Sequence, residues 1–318
     1  MTNKKYSEVL KISPIIKNMQ TFAHLNRHIL NQRALHWSIF LLLSLTWGSS
    51  FILMKIGLQG LTPYQVASLR IFSAGISLLP FFFKYIRQTP VSKIPLIILS
   101  GILGNLIPAY LFCIAETRID SALAGILNGL TPLMALLAGF FIYKTPIIRQ
   151  QLLGICIGLA GVAMLFAVNG VDTGYWYYGL WIVLATVCYG VNISLVHHHL
   201  KTYNSLQLGS IALFFCGLFT LPVLYFSGFF SLLSGPAIPW SSVAASITLG
   251  ILGSSIASVL FYILITQAGG LFASMVTYAL PVVAIGWGLV AGEQISFLQV
   301  ICLGVILIGV YMVNKAKR

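Results

Sequence analysis

Acidic side chains are almost missing from this chain: Glu8, Glu116, Asp120, Asp172 and Glu293 are the five among 318 residues. Charged residues of both signs reach 7%, where soluble domains carry about 25%. Hydrophobic residues make up 58%. That balance excludes most soluble enzyme classes. The five cysteines are odd in number, lie in apolar segments and form no Cys-x-x-Cys pair, so they read as packing thiols rather than metal ligands or a disulfide framework. No nucleotide-binding motif is present, which removes ATP as the energy source, and no cofactor is expected. No apolar run holds a His-Glu-x-x-His motif or a nucleophile with its base, so an enzyme is the weaker class. No carboxylate sits in the middle of such a run either. A proton relay therefore has no obvious bearer, and uniport or coupling through other groups is favoured.

What the chain does have is apolar length. Ten runs of about 20 residues, each long enough to cross a bilayer, cover approximately 36–56, 64–83, 94–115, 121–143, 150–168, 176–196, 205–226, 241–265, 271–291 and 297–314. Without the alternation of a barrel strand they predict helices, and the fold class is an all-α polytopic membrane protein with the lipid bilayer as its partner. The net charge of +13 does not point to nucleic acid, because the bases are scattered between spans rather than gathered on one surface. Their distribution instead sets orientation. Six bases precede residue 36, three lie in 84–93, two in 144–149, one is Lys201 and three end the chain, while Lys55 and Arg118 alone fall on the other side and Arg70 lies within a span. The expectation is an inner-membrane protein with both termini cytoplasmic. Residues 1–35 form a basic cytoplasmic extension; Val9, Ile12, Ile16 and Met19 at helical spacing suit a surface helix, with a translation start at Met19 as the alternative.

Two parts of the chain repeat. At an offset of 142, Gln65, Ser68, Phe72, Gly75 and Pro80 meet Gln207, Ser210, Phe214, Gly217 and Pro222. At 149, Gly101-Ile102-Leu103-Gly104 meets Gly250-Ile251-Leu252-Gly253, and Pro132 and Gly139 meet Pro281 and Gly288. This divides the chain into repeats of five helices, 36–169 and 170–318. An odd number of crossings returns the second repeat upside down, so the expected architecture is ten transmembrane helices as two inverted five-helix repeats, with a substrate site between them near the midplane.

Trp47-Gly48-Ser49-Ser50-Phe51 with Lys55, Thr62-Pro63 with Arg70, Thr131-Pro132, and Pro281 followed by Gly292-Glu293 resemble the EamA-type branch of the drug/metabolite transporter superfamily. The resemblance covers about residues 36–314. It implies a carrier, commonly an exporter of amino acids or other small metabolites. Where that family usually has Gly-Glu at the end of the fourth helix, this chain has Tyr143-Lys144, so the role of that first acid does not carry over.

Candidate cavity residues follow from polarity within the spans. Trp47 and Ser50 share one face of the first helix, and Tyr189 and Asn192 are their mates at 142. That face lines a cavity or packs a helix crossing. Arg70 must be partnered, with Lys55, Glu116 and Glu293 as outer-side charges near it, and either binds an anionic group or pins helices. Asn105, Asn128 and Thr277 need partners inside protein or water. Asn128 and Thr277 each precede a proline by four residues, making Pro132 and Pro281 candidate hinges. Tyr110, Tyr262 and Tyr278 line a pathway or fill the core. Tyr175-Trp176-Tyr177-Tyr178 reads as an interfacial belt, and His197-His198-His199 diverge too much for a metal site. The functional expectation is transport, chiefly export, of a small organic metabolite such as an amino acid by alternating access. The alternative is a structural or signalling protein on the same frame, and the reading leaves room for a homodimer.

Overall fold

The computed structural model describes residues 33–170, 175–235, 238–268 and 275–315. The proposed surface helix of the extension lies outside them. The described residues are helical, without strands. Eight helices are long and apolar enough to cross a membrane: α1 (Arg33–Leu58), α4 (Val91–Ala115), α5 (Ser121–Tyr143), α6 (Arg149–Ala167), α7 (Tyr178–Leu200), α8 (Ser205–Phe226), α9 (Trp240–Phe261) and α11 (Phe297–Lys315). The run expected at 64–83 is a bent pair, α2 (Pro63–Ser77) and α3 (Leu79–Ile86), meeting at 61°. The run expected at 271–291 is the shorter α10 (Val276–Val290) among the described residues.

Local chemistry explains several boundaries. Thr62 accepts from the Gln65 amide at 3.3 Å while Gln65 Oε1 accepts from the Thr62 amide at 3.0 Å, a reciprocal cap with Pro63 in the first turn. Asn204 caps α8 from one side only, accepting from the Gln207 amide at 2.7 Å, while the Gln207 side chain donates to Thr89 Oγ1 at 2.8 Å. Pro80, lacking an N–H, stands just after the bend between α2 and α3. At the matching position Pro222 lies inside an unbroken α8.

Large apolar side chains such as Leu41, Phe141, Leu153, Tyr225 and Val282 stand exposed along the outer faces of the bundle. Water would penalise so much apolar surface and hydrocarbon does not, so the bundle is membrane-embedded. The main core joins Phe51, Met54 and Phe112 to Leu127, Leu130, Cys302 and Ile306, bringing together helices from both parts of the chain.

Candidate functional site

The parts meet through glycines. A Cβ placed on Gly48 of α1 would collide with Val283 of α10, and one on Gly190 of α7 would lie 2.6 Å from the Met134 carbonyl of α5. Gly190 and Met134 are the offset mates of Gly48 and Val283. Gly75 of α2 abuts Leu213 and Phe214 of α8, and Gly217 of α8 abuts Ile71 and Phe72 of α2, again mates. Small residues let helix backbones approach where no hydrophobic drive separates helix from lipid.

The repeated Gly-Ile-Leu-Gly tetrapeptides show the same correspondence more fully. Each overlaps a stretch of wider, π-helical winding: Ile102–Leu106 in α4, which starts just after Gly101, and Leu249–Ile256 in α9. Such insertions are frequent at functional sites. Gly101 abuts Ala212, and its mate Gly250 abuts Arg70, the mate of Ala212. Gly104 abuts the Asn192 amide, and its mate Gly253 abuts the Ser50 hydroxyl, again a matched pair. The contacts are shared; the side chains differ.

Around the second stretch lies a polar cluster. Trp47 Nε1 donates to the Gly253 carbonyl at 2.8 Å, and Ser50 Oγ donates to the Thr46 carbonyl at 3.2 Å. Arg70 Nε donates to Ser254 Oγ at 3.2 Å, with a guanidinium nitrogen 3.7 Å from Met54 Sδ. Its hydrogen-bond partners are thus neutral groups rather than the expected Glu116 or Glu293. Around the first stretch, Ser100 Oγ donates to Asn192 Oδ1 at 2.6 Å, and Asn105, the mate of Ser254, sits half-buried. A line of rings, Phe51 to Phe112 at 5.8 Å and Phe112 to Tyr189 at 6.2 Å, runs between helices of the two clusters. Tyr110 shares a 2.6 Å hydrogen bond with Ser68.

The paired prolines differ from their expected symmetry. α5 is interrupted at Gly129 and Leu130, so Pro132 opens its second segment instead of lying in a continuous helix. The Asn128 carbonyl accepts from Thr131 Oγ1 at 2.8 Å. Pro281 lies inside an unbroken α10. The two regions nevertheless touch, because a Cβ on Gly129 would lie 3.8 Å from Pro281 Cγ. Thr277 is half-buried, and the Tyr278 hydroxyl accepts from Asn314 Nδ2 at 2.8 Å. The Tyr262 side chain lies outside what is described.

At the end of the bundle marked by Lys55, the loop 116–120 gathers charge. Lys55 Nζ donates to the Ile119 carbonyl at 2.9 Å and lies 3.8 Å from Asp120. Glu293 accepts from the Ser121 amide at 2.9 Å, the Ser121 hydroxyl at 2.7 Å and the Ala122 amide at 3.0 Å, capping α5 from outside its own sequence. Lys144, at the position matching Glu293, is exposed with φ of 56°. Glu116 is not a solvated loop end: it is 1% exposed, and neither carboxyl oxygen has a hydrogen-bond partner among the described residues. Burial pushes its carboxyl well above the usual carboxylate range; Lys55 pulls it back, Glu293 adds to the rise and Arg70 opposes it. Asp120 is raised by burial and by Glu293, against Lys55.

The same loop walls a cavity of about 430 Å³, lined by Arg118, Ile119 and Asp120 with Phe166, Tyr175, Trp176 and Gln299 among others. Arg118 lies over the Tyr175 ring at 5.0 Å. None of the cavity residues expected from polarity lines it. In the sequence Arg118 is a topology-setting charge and Tyr175-Trp176 a belt; the convergence of helix ends brings them together at this cavity. At the opposite end, His197, His198 and His199 are all exposed, with His198 stacked on Tyr143 at 3.8 Å.

A membrane-embedded helical bundle with glycine-packed parts and widened helices at matched places has the construction of a transporter. The EamA-like transporter family matches residues 36–167 and 176–315, and the chain belongs to that family. It is similar to the uncharacterized inner membrane transporter YedA of Escherichia coli (strain K12), 27% identical over 86% of this chain and 89% of that protein. An uncharacterized transporter of Archaeoglobus fulgidus is 23% identical over 88% and 99% respectively. A protein of Salmonella typhimurium named as a probable amino-acid metabolite efflux pump is 29% identical over 41% of this chain and 43% of that one. One solved crystal structure shares the fold with a TM-score of 0.54 at 20% identity, covering 89% of this chain and 96% of that one.

Proposed function

We propose that the chain exports a small organic metabolite, an amino acid or a related compound, by alternating access of two inverted repeats of five crossings each. The bent pair α2 and α3 then counts as one crossing, α10 as another, and the Lys55 end faces outward. The observation that carries this reading is the residue-for-residue correspondence of contacts between the parts: Gly101 on Ala212 with Gly250 on Arg70, and Gly104 on Asn192 with Gly253 on Ser50. Matched contacts of this kind fit a duplicated unit packed against its copy, the construction on which inverted-repeat carriers are built. Arg70, Trp47, Ser50 and Ser254 on one side, and Asn105, Tyr189 and Asn192 on the other, are the proposed midplane contacts. The outer cavity, with a guanidinium, a carboxylate and aromatic rings, suits a zwitterion with an organic side chain as it leaves. The Salmonella relative's name agrees with that substrate class.

The test is efflux of the twenty L-amino acids, one at a time, from proteoliposomes holding the purified protein. At least one should leave faster than from protein-free vesicles, and Arg70→Ala should slow it. Equal rates for every amino acid would overturn the substrate class.

A further inference from the structure

We propose that Glu116 is a proton-carrying site, neutral in the conformation seen here and ionised in the alternate one, so that movement of the bundle is coupled to a proton. The inference rests on the transporter reading above. Two carboxyl groups meet at the Lys55 end in opposite environments. Glu293 accepts three hydrogen bonds at the start of α5, which suits an anion. Glu116, 1% exposed with both oxygens unpartnered among the described residues, is placed as only a neutral acid is tolerated.

The groups around Glu116 show where compensating charge would come from. Lys55 of α1 and Arg70 of α2 lie within its electrostatic reach, as do Glu293 after α10 and, one turn earlier on its own helix, Cys113. Lys55 is held by the Ile119 carbonyl and Asp120, and Arg70 by Ser254 and Met54. Neither cation bonds the Glu116 carboxyl in this conformation. A shift of the loop 116–120 that frees Lys55 from Asp120 would bring a positive charge to Glu116. The O–H bond then breaks, the proton passes to water, and the carboxylate pairs with Lys55. No other reactant is needed. Because that loop also supplies Arg118, Ile119 and Asp120 to the outer cavity, a bound zwitterion and the proton act on the same five residues. A midplane carboxylate, which the sequence lacks, is not required; a buried one at a helix end serves.

The experiment follows conformation with pH alone, without substrate. Cys156 and Cys188, the two cysteines that are not buried, are changed to Ser, and Gln299→Cys at the cavity reports access by a membrane-impermeant maleimide. Rates are corrected for thiol ionisation with a fully exposed cysteine control. Across a pH series from about 5 to about 10, the corrected rate should change about tenfold. Glu116→Gln should hold the acidic rate throughout, and Glu116→Asp should keep a pH dependence. A flat wild-type profile, or an unchanged one in Glu116→Gln, overturns the proposal. Should Glu116→Gln not accumulate, infrared titration of the parent decides: an acid carbonyl band that vanishes together with the labelling change supports it, and no such band overturns it. Loss of amino-acid flux with the pH switch intact would sink the substrate reading alone. Flux indifferent to a pH gradient would sink the coupling alone.

Discussion

Glu116 and Arg70 illustrate how differently two charges can be accommodated in a bundle of this composition. Arg70 cannot discard its charge, so it finds neutral oxygen and sulfur partners on facing helices. Glu116 can discard its charge by taking up a proton, and its surroundings favour that. A carboxyl whose folded pKa is raised binds its proton more tightly in the folded than in the unfolded chain. The stability it contributes is therefore full below the ordinary Glu value of about 4.3 and is lost as pH rises toward the folded value. Glu116→Gln cannot lose a proton, so thermal unfolding in detergent should show the parent falling behind this variant as pH increases. The slope is at most about 1.4 kcal/mol per pH unit. A constant difference across pH would mean that Glu116 ionises alike in both states. The residue types were legible in the sequence, since any charge in so apolar a chain demands attention. The burial of Glu116 was not, because position 116 at the edge of an apolar run looks the same whether it meets water or the underside of α1 and α2.

Helical spans follow from length and apolarity, which is why the boundaries of α4, α5 and α8 agree with the hydropathy runs within a few residues. The bend after Ser77, the break at Gly129 and the widened turns do not follow, because they depend on which backbone a small residue touches. Repeated prolines suggested symmetric kinks, yet Pro80 and Pro132 stand at interruptions while Pro222 and Pro281 lie in continuous helices. The glycines show the same dependence on contact. Gly250, in the widened turn of α9, has Ser73 and the Arg70 carbonyl where a Cβ would go, whereas Gly286 in α10 has nothing within 4 Å. Gly250→Ala should accordingly destabilise by about 1–3 kcal/mol, the usual cost of overpacking, and lower the midpoint of thermal unfolding. Gly286→Ala should be neutral or slightly stabilising, since alanine favours a helix. Equal midpoints for the two variants would mean that α9 moves aside without penalty and that close approach there is incidental.

Across the whole molecule, charge and repeat make one joint claim about orientation. Only two bases are assigned to the outside: Lys55, held by the Ile119 carbonyl and Asp120, and Arg118, exposed over the Tyr175 ring. At the opposite end Lys84, Arg87, Lys144, Arg149, Lys201 and Lys315 are exposed. Exposed cations resist translocation and suit the anionic cytoplasmic leaflet, so the proposed orientation puts that end inside. With the proposed ten crossings, five per repeat, the C-terminus would return to the cytoplasm and the second repeat would be inverted relative to the first. Reporters fused after Arg318 and after Asp172 test both statements together. A reporter active only in the cytoplasm should work after Arg318, and one active only outside should work after Asp172. If the Asp172 fusion reports from the cytoplasm, the first repeat does not hold five crossings. The correspondence of the Gly101 contact with that of Gly250, and of the Gly104 contact with that of Gly253, would then reflect duplicated packing within one orientation rather than two inverted repeats.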